Sequence, residues 1–392
     1  MSCQPESSLG SIIYLDNHST TPCDPGVVEA MLPFLRGSFG NPSSAEHILG
    51  EAAERAVDTA RAQVAVLLGC LPVEVIFTSG ATESNNIAIL GAAAASHSEP
   101  RRIVTASIEH KSVLGPVREL GRSGWDCVEL PVDRDGRVCL DAAREAIDQQ
   151  TLLVSVQMAN NEVGTVQSVR EIAETAHAVG ALAHTDAAQA LGKIPLNVED
   201  LGVDLLSASS HKLYGPKGAG VLYVRGGRRR THLRPVFLGG SQEHGLRPGT
   251  HNVPALVGFG EACRLAAGAM PGESVRLSSM RDRLESFLLE SVVGIRVNGT
   301  NAARLPGSSS LTFPRVDAQT LIANCRQIAL STGSACSSGA MEPSHVLLAM
   351  GLSREEAYRT IRIGIGRFNT EDETRTAAPA IADAYTRLAS RW

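Results

Sequence analysis

The sequence predicts an α/β protein: a large domain on a mostly parallel sheet, followed by a smaller α+β unit. Three observations carry this. From about Glu74 to Val224, short apolar runs alternate with longer amphipathic ones, the rhythm of repeated βαβ units. Several short runs are near-continuous Val, Ile and Leu, as in strands covered on both faces. After about Gly260 the texture changes to a helical stretch, a lone strand, a Gly- and Ser-rich segment and a charged C-terminus.

In chain order, Ala45 to Leu68 reads as a long helix, rich in alanine and carrying i, i+4 charge pairs such as Glu51 with Arg55. Strands are expected at Val75 to Thr78, Ile103 to Ala106, Leu152 to Gln157, Leu182 to Thr185, Asp204 to Ala208 and Gly220 to Val224, with helices between most of them. The glycine-rich Gly215 to Gly220 lacks the G-x-x-x-x-G-K-[ST] order and runs into a strand, so it reads as a turn and not a nucleotide loop. In the smaller unit, Met280 to Glu290 is helical and Ser309 to Phe313 strand-like. Gly268 to Glu273, with Pro271 and two glycines, marks a seam between the units.

A hydrophobic content of 43% with 20% charge in 392 residues suits a folded globular chain and argues against extensive disorder. The formal charge of −5 comes with scattered basic residues, so no direct nucleic-acid binding is expected. The one basic run, Arg228 to Arg230, follows two glycines and reads as a solvated loop. The eight cysteines show no C-x-x-C pair, which disfavours a structural metal or a disulfide framework and leads us to expect reduced thiols in a cytoplasmic setting. Met1 to Gly10 has neither a basic start nor an apolar run, and no stretch of 18 apolar residues occurs, so neither a targeting signal nor a membrane span is expected.

In an open α/β sheet, ligand contacts gather at the carboxyl ends of strands and at the helix starts that follow. Just after the strand ending at Thr78 comes Ser79-Gly80-Ala81-Thr82-Glu83-Ser84-Asn85-Asn86, a small-residue turn opening a helix. Its free N–H groups, the Thr82 hydroxyl and the helix dipole make an anion site, although taken alone it would read as an ordinary N-cap. Asp186 stands at the end of a later strand, and Lys212 lies in Ser209-Ser210-His211-Lys212 after the next. A pyridoxal site needs a carboxylate to keep the pyridinium nitrogen protonated and a lysine to form a Schiff base. With Ser209 and His211 able to hold a phosphate, and a phosphate-cradling turn upstream, pyridoxal 5′-phosphate is the expected cofactor. His110 follows another strand end, where it could stack on a pyridine face or move protons; in isolation it would be an ordinary hydrogen-bonding histidine. Finally, Ser331 to Gly339 is a glycine and serine segment carrying Cys336. Cys70, Cys127, Cys263 and Cys325 are expected as buried small hydrophobes. A thiol in a polar loop is instead accessible and able to act as a nucleophile.

Together these residues resemble the NifS/IscS-type cysteine desulfurases, in the class V aminotransferase superfamily of fold-type I pyridoxal enzymes. The resemblance runs from Tyr14-Leu15-Asp16-Asn17 through Gly40-Asn41-Pro42-Ser43-Ser44, the Thr78 to Glu83 turn, Asn160-Asn161-Glu162-Val163-Gly164, Asp186-Ala187-Ala188-Gln189 and His211-Lys212 to the stretch from Arg362 to Arg367, nearly the whole chain. It implies a large cofactor-binding domain over residues 17–262 with a seven-stranded type of sheet, and a smaller α+β domain formed by 1–16 and 263–392. By the same resemblance, Lys212 carries the cofactor, Asp186 faces the ring nitrogen and His110 stacks on the ring. Ala81, Thr82, Ser209 and His211 hold the phosphate, and Gln189 bonds the ring hydroxyl. Asn161 and Arg362 bind the substrate carboxylate, with Asn41 a further candidate for that role. Thr250, in Arg247-Pro248-Gly249-Thr250, matches a threonine that reaches the phosphate of a neighbouring subunit, which implies a homodimer.

The implied activity is conversion of L-cysteine to L-alanine, with a persulfide left on Cys336 and passed to sulfur-acceptor proteins for iron–sulfur cluster assembly, tRNA thiolation or another sulfur pathway. No metal is expected in the site. Gly333-Ser334-Ala335-Cys336 resembles the group with the longer loop, while Ser337 to Met341 departs from its usual continuation. Two other readings stay open at this point: a selenocysteine lyase or other class V enzyme on the same cofactor site, and a non-catalytic scaffold or sulfur-carrier subunit.

Overall fold

The computed structural model describes residues 12–96, 101–227, 231–333 and 342–390. The arginine run Arg228 to Arg230 and the proposed nucleophile Cys336 lie outside these residues. Twelve strands occur among the described residues: β1 (Ile13–Tyr14), β2 (Val75–Thr78), β3 (Arg102–Ala106), β4 (Asp126–Leu130), β5 (Thr151–Ser155), β6 (Leu182–Asp186), β7 (Leu205–Ser209), β8 (Gly220–Val224), β9 (Arg296–Val297), β10 (Ser308–Thr312), β11 (Ile328–Ala329) and β12 (Thr360–Gly364). Seven form the main sheet in the order β2-β8-β7-β6-β5-β3-β4. The run β7-β6-β5-β3-β4 is parallel, and β8 is antiparallel to both its neighbours. The carboxyl ends of β2, β3, β5, β6 and β7 therefore share one edge of the sheet.

The sheet is covered on both faces, which is why its strands read as apolar runs rather than as alternating ones. Val75, Phe77, Val104, Val154, Leu206 and Val221 point into one core. Ile76, Ile103, Leu153, Leu205, Leu222 and Val224 point into the other, with the helix Ala81–Ala95. All six expected strands are present with their ends shifted by no more than a residue or two. The sequence reading missed β4. It is an edge strand with Leu130 its one fully buried residue, and Asp126 and Glu129 interrupt any apolar run.

A third core joins Leu15, Met280, Leu284, Leu288, Leu311, Ile361, Ile363 and Ile381 around the small antiparallel sheet β12-β10-β9. The expected seam at Gly268 to Glu273 is not a break in the chain: one helix runs unbroken from Val253 to Ser291 with Pro271 inside it. The helix changes cores there instead. Phe259, Ala262, Cys263 and Ala266 pack into the large core and Met280, Leu284 and Leu288 into the small one, so between them the helix passes from one to the other. Val346, Leu347 and Met350, far along the chain, also belong to the large core. Among the described residues no helix is long and apolar enough to cross a membrane.

Candidate active site

Three chain segments meet in register at the shared sheet edge: Gly220, at the start of β8, faces Thr78 on one side and Ser209 on the other. A Cβ on Gly220 would lie 2.5 Å from the Gly80 Cα, so glycine is what lets the turn after β2 come down onto the sheet. Gly80 itself has φ 154° and ψ 175°, a conformation open mainly to glycine. It caps the helix Ala81–Ala95 without a side-chain hydrogen bond, leaving the first-turn N–H groups of Ala81 and Thr82 as donors for an anion. Glu83 in that same turn would oppose an anion. It is occupied instead, accepting from Ser79 N at 2.6 Å and Arg247 Nε at 2.9 Å. Burial raises its pKa, but these two partners outweigh it and hold the carboxyl below its usual range.

Asp186 ends β6 and is buried. One oxygen accepts the Ala188 N–H at 2.9 Å and the other the Asn85 carboxamide at 2.7 Å. Asn85 also donates to Ser112 Oγ at 2.8 Å, which lies 2.7 Å from His110 Nδ1. His110 caps the helix Lys111–Arg122, its Nδ1 accepting the Ser112 N–H at 3.1 Å, so its ring proton resides on Nε2. Partial desolvation lowers the His110 pKa; Asp186 opposes this, while Lys212, His345 and Lys111 reinforce it. Asp186 and His110 are thus joined by two side chains, Asn85 from the helix Ala81–Ala95 and Ser112.

Lys212 lies in a short 3₁₀ turn, Ser210–Lys212, after β7. Its Nζ donates to the carbonyls of His18 at 2.5 Å and Ser19 at 2.6 Å. Burial, then repulsion from Arg362, brings its pKa down to about 8 against the opposing pull of Asp16 and Asp186. His211 Nδ1 lies 3.1 Å from Thr20 Oγ1, and burial with the neighbouring lysines lowers its pKa to about 4, so it is a neutral ring near pH 7. Gln189 is buried and turned toward His18.

Arg362 comes from the small sheet, placed by the Ser310 pairing of β12 with β10 and by a backbone bridge to Ser331. Its guanidinium donates to the Asn161 carbonyl at 2.9 Å, Asp16 Oδ1 at 2.8 Å and Ser19 Oγ at 2.5 Å. Its Nε is buried and has no partner among the described residues. A buried, unsatisfied donor on an arginine is a ready place for a carboxylate oxygen.

The chemistry of these groups fits pyridoxal phosphate: a glycine cradle and helix start for a dianion, a buried carboxylate, a lysine partly in its free-base form, and an open histidine. Of the residues expected from the sequence, Ala81, Thr82, His110, Asp186, Gln189, Ser209, His211, Lys212, Asn161 and Arg362 lie on or directly behind this edge. Two stand apart. Asn41 is exposed, with its carboxamide folded back to accept the Ser43 N–H at 3.0 Å, and Thr250 is exposed with no hydrogen bond into this chain's site. Asn85, Ser112, Asp16 and His18 were not anticipated as site residues. Asn85 gave little signal in the sequence, because it stands in the polar run Thr82 to Asn86 that opens the helix.

The profile of the family described as aminotransferase class-V matches residues 13–376. A protein described as a mitochondrial cysteine desulfurase from Arthroderma benhamiae is 46% identical over 378 residues, 96% of this chain and 75% of that protein. A cysteine desulfurase IscS from Anaeromyxobacter sp. strain Fw109-5 is 44% identical over 376 residues, 96% of this chain and 93% of the relative. A solved structure described as a NifS-like protein superposes with a TM-score of 0.89 at 36% identity, covering 96% of this chain and 99% of the other. The α/β architecture with its large, mostly parallel sheet is therefore that of the fold-type I pyridoxal enzymes.

Proposed function

The chain belongs to the class-V aminotransferase family and is a pyridoxal-phosphate-dependent cysteine desulfurase; from that premise we propose that Lys212 carries the cofactor and that Cys336 receives the sulfur. The observation that supports this reading best is the meeting of Lys212, Asp186, His110 and the Gly80 turn at one sheet edge. Pyridoxal phosphate supplies an electron sink beside the substrate α-carbon.

The chain's own residues supply the rest. The N–H groups of Ala81 and Thr82, with Ser209 and His211, hold the phosphate, and Asp186 keeps the ring nitrogen protonated. Gln189 bonds the ring hydroxyl. Arg362 and Asn161 bind the cysteine carboxylate; Asn41, whose carboxamide accepts the Ser43 N–H, would have to turn to add a contact there. The Lys212 amine, low enough in pKa to be available as a base, removes the α-proton. His110, placed to stack on the ring when the cofactor is bound, would hold a proton on Nε2. The Cys336 thiolate attacks the substrate sulfur: the S–S bond forms as the C–S bond breaks, and the carbon skeleton takes up protons and leaves as alanine. The persulfide then passes to an acceptor protein.

Three further readings accompany this one. A homodimer is supported by the exposed apolar side chains Phe39, Ile48, Phe237 and Leu238, which a second copy would cover, and by the outward position of Thr250. Sulfur-carrier or scaffold proteins are the acceptors. The described cysteines are all unpaired, which suits a reducing compartment such as the cytoplasm; the Arthroderma relative's mitochondrial description makes cell fractionation the check. Replacing Cys336 by alanine tests the sulfur step. Loss of sulfur release from cysteine with selenide release from selenocysteine intact supports Cys336 as the sulfur acceptor, and unchanged sulfur release contradicts it.

A further inference from the structure

Behind the Lys212 amine lies a second lysine that the proposed chemistry does not use. Lys193 Nζ donates to Gln189 Oε1 at 3.0 Å, and His18 Nδ1 lies 3.1 Å from the same oxygen. The other end of the amide, Gln189 Nε2, donates to the His18 carbonyl at 2.9 Å. That carbonyl is also where Lys212 Nζ rests, at 2.5 Å. The oxygen of Gln189 thus faces an amine and a ring nitrogen, and its nitrogen faces a carbonyl, so the amide has one polarity that satisfies every partner. His18 must then carry its proton on Nδ1, which leaves Nε2 an acceptor; it is buried and has no partner among the described residues.

His18 and Lys193, with Asn17, Tyr214 and Glu273, line a cavity of about 20 Å³, room for one water. The charged groups around Lys193 are unequal in sign. Lys212 and Arg362 repel it, and Glu273 on the cavity wall is already paired with Arg367. Burial first, and then that repulsion, lowers the Lys193 pKa to about 7. Of the two lysines, Lys193 therefore gives up its proton first, and what it offers Lys212 is the hold on Gln189 and the His18 carbonyl.

We propose that Lys193 is a positioning residue for the desulfurase reaction: through Gln189 and the His18 carbonyl it fixes where the Lys212 nitrogen sits, and it sets a second amine behind it. This rests on the reading that Lys212 carries the cofactor. Lys193 touches neither substrate nor cofactor in this role.

The test is a pH titration of the visible absorption band in pyridoxal-phosphate-loaded wild type, Lys193→Met and Lys193→Arg. Loss of the Lys193 donor releases Gln189 and with it the His18 carbonyl against which the Lys212 nitrogen rests, so the midpoint in Lys193→Met should move by about half a pH unit or more. Lys193→Arg, which keeps a donor for Gln189 Oε1, should stay nearer to wild type. Should Lys193→Met fail to fold, Lys193→Gln is the second neutral variant and the same shift is expected of it. A neutral variant that loses thermal stability but keeps the wild-type midpoint reduces Lys193 to a structural role and overturns the proposal. Absence of any band in the loaded wild type would instead overturn the cofactor reading, and this proposal with it.

Discussion

Asn85 donates its carboxamide to Asp186 across 2.7 Å, although the two are 101 residues apart in the chain. One helix therefore supplies both the N–H groups of Ala81 and Thr82 proposed to hold the phosphate and, one turn in, the partner that orients the carboxylate on β6. On the proposed reading, a rigid element sets the spacing between the phosphate site and the carboxylate for the ring nitrogen, which is what a cofactor with both groups on one ring requires.

Asn85→Ala should weaken the cofactor site without unfolding the protein. A hydrogen bond to a charged group contributes roughly 1.5–3 kcal/mol, so cofactor affinity should fall by about 10- to 100-fold. Equilibrium dialysis of the variant against pyridoxal phosphate measures this; wild-type affinity would remove Asn85 from the account.

Lys212 predicts a pH profile. Only the free amine condenses with an aldehyde, and burial with Arg362 repulsion has brought its pKa down to about 8. The rate of cofactor uptake by apoprotein should rise with pH through about 8 and then level off. An unperturbed lysine would keep gaining up to about pH 10.4. Stopped-flow absorbance across that range separates the two.

Arg362→Lys tests the carboxylate site. Lysine keeps the charge but loses the forked donors that reach Asp16, Ser19 and the Asn161 carbonyl together. The KM for cysteine should rise by about 10- to 100-fold, with a smaller change in kcat. Equal loss in both would place Arg362 in the transition state rather than in binding.

The loop leading to Thr250 carries its own strain. Glu243 and His244 are consecutive non-glycine residues at φ 49° and 57°. They are held there by the buried Glu243 carboxylate, which accepts from Arg61 at 2.7 and 2.8 Å, from Phe77 N at 2.8 Å and from His251 at 2.6 Å. Burial raises the Glu243 pKa, but Arg61 and His251 outweigh it and bring it to about 2. A depressed carboxylate pKa stabilises the fold above its unfolded value of about 4.3, and that stability is lost as pH falls toward about 2. Glu243→Ala should cost roughly 3–5 kcal/mol near pH 7, read by chemical denaturation, and the difference from wild type should shrink in acid.

Much of this was legible in the sequence because strands buried on both faces announce themselves as apolar runs, and because Gly80, Asp186 and Lys212 all follow such runs. What was hidden depends on contacts between distant segments. His18 lies 171 positions from Gln189, and nothing near it in the chain marks it as the floor beneath Lys212. Lys193 was closer to being visible, four residues beyond Gln189 at the spacing of a helical turn. The seam at Gly268 to Glu273 lies where the helix Val253–Ser291 passes from one core to the other; glycine and proline mark it, but packing against both cores carries the helix through without a break.

The central claim joins Lys212 to Cys336, and mass spectrometry of the loaded enzyme after a single exposure to L-cysteine tests it most directly. The account predicts that the peptide carrying Cys336 gains the mass of one sulfur atom, and that Lys212→Ala abolishes the gain. A wild-type Cys336 peptide that stays unmodified while alanine is formed, or a sulfur found on another cysteine, would contradict it.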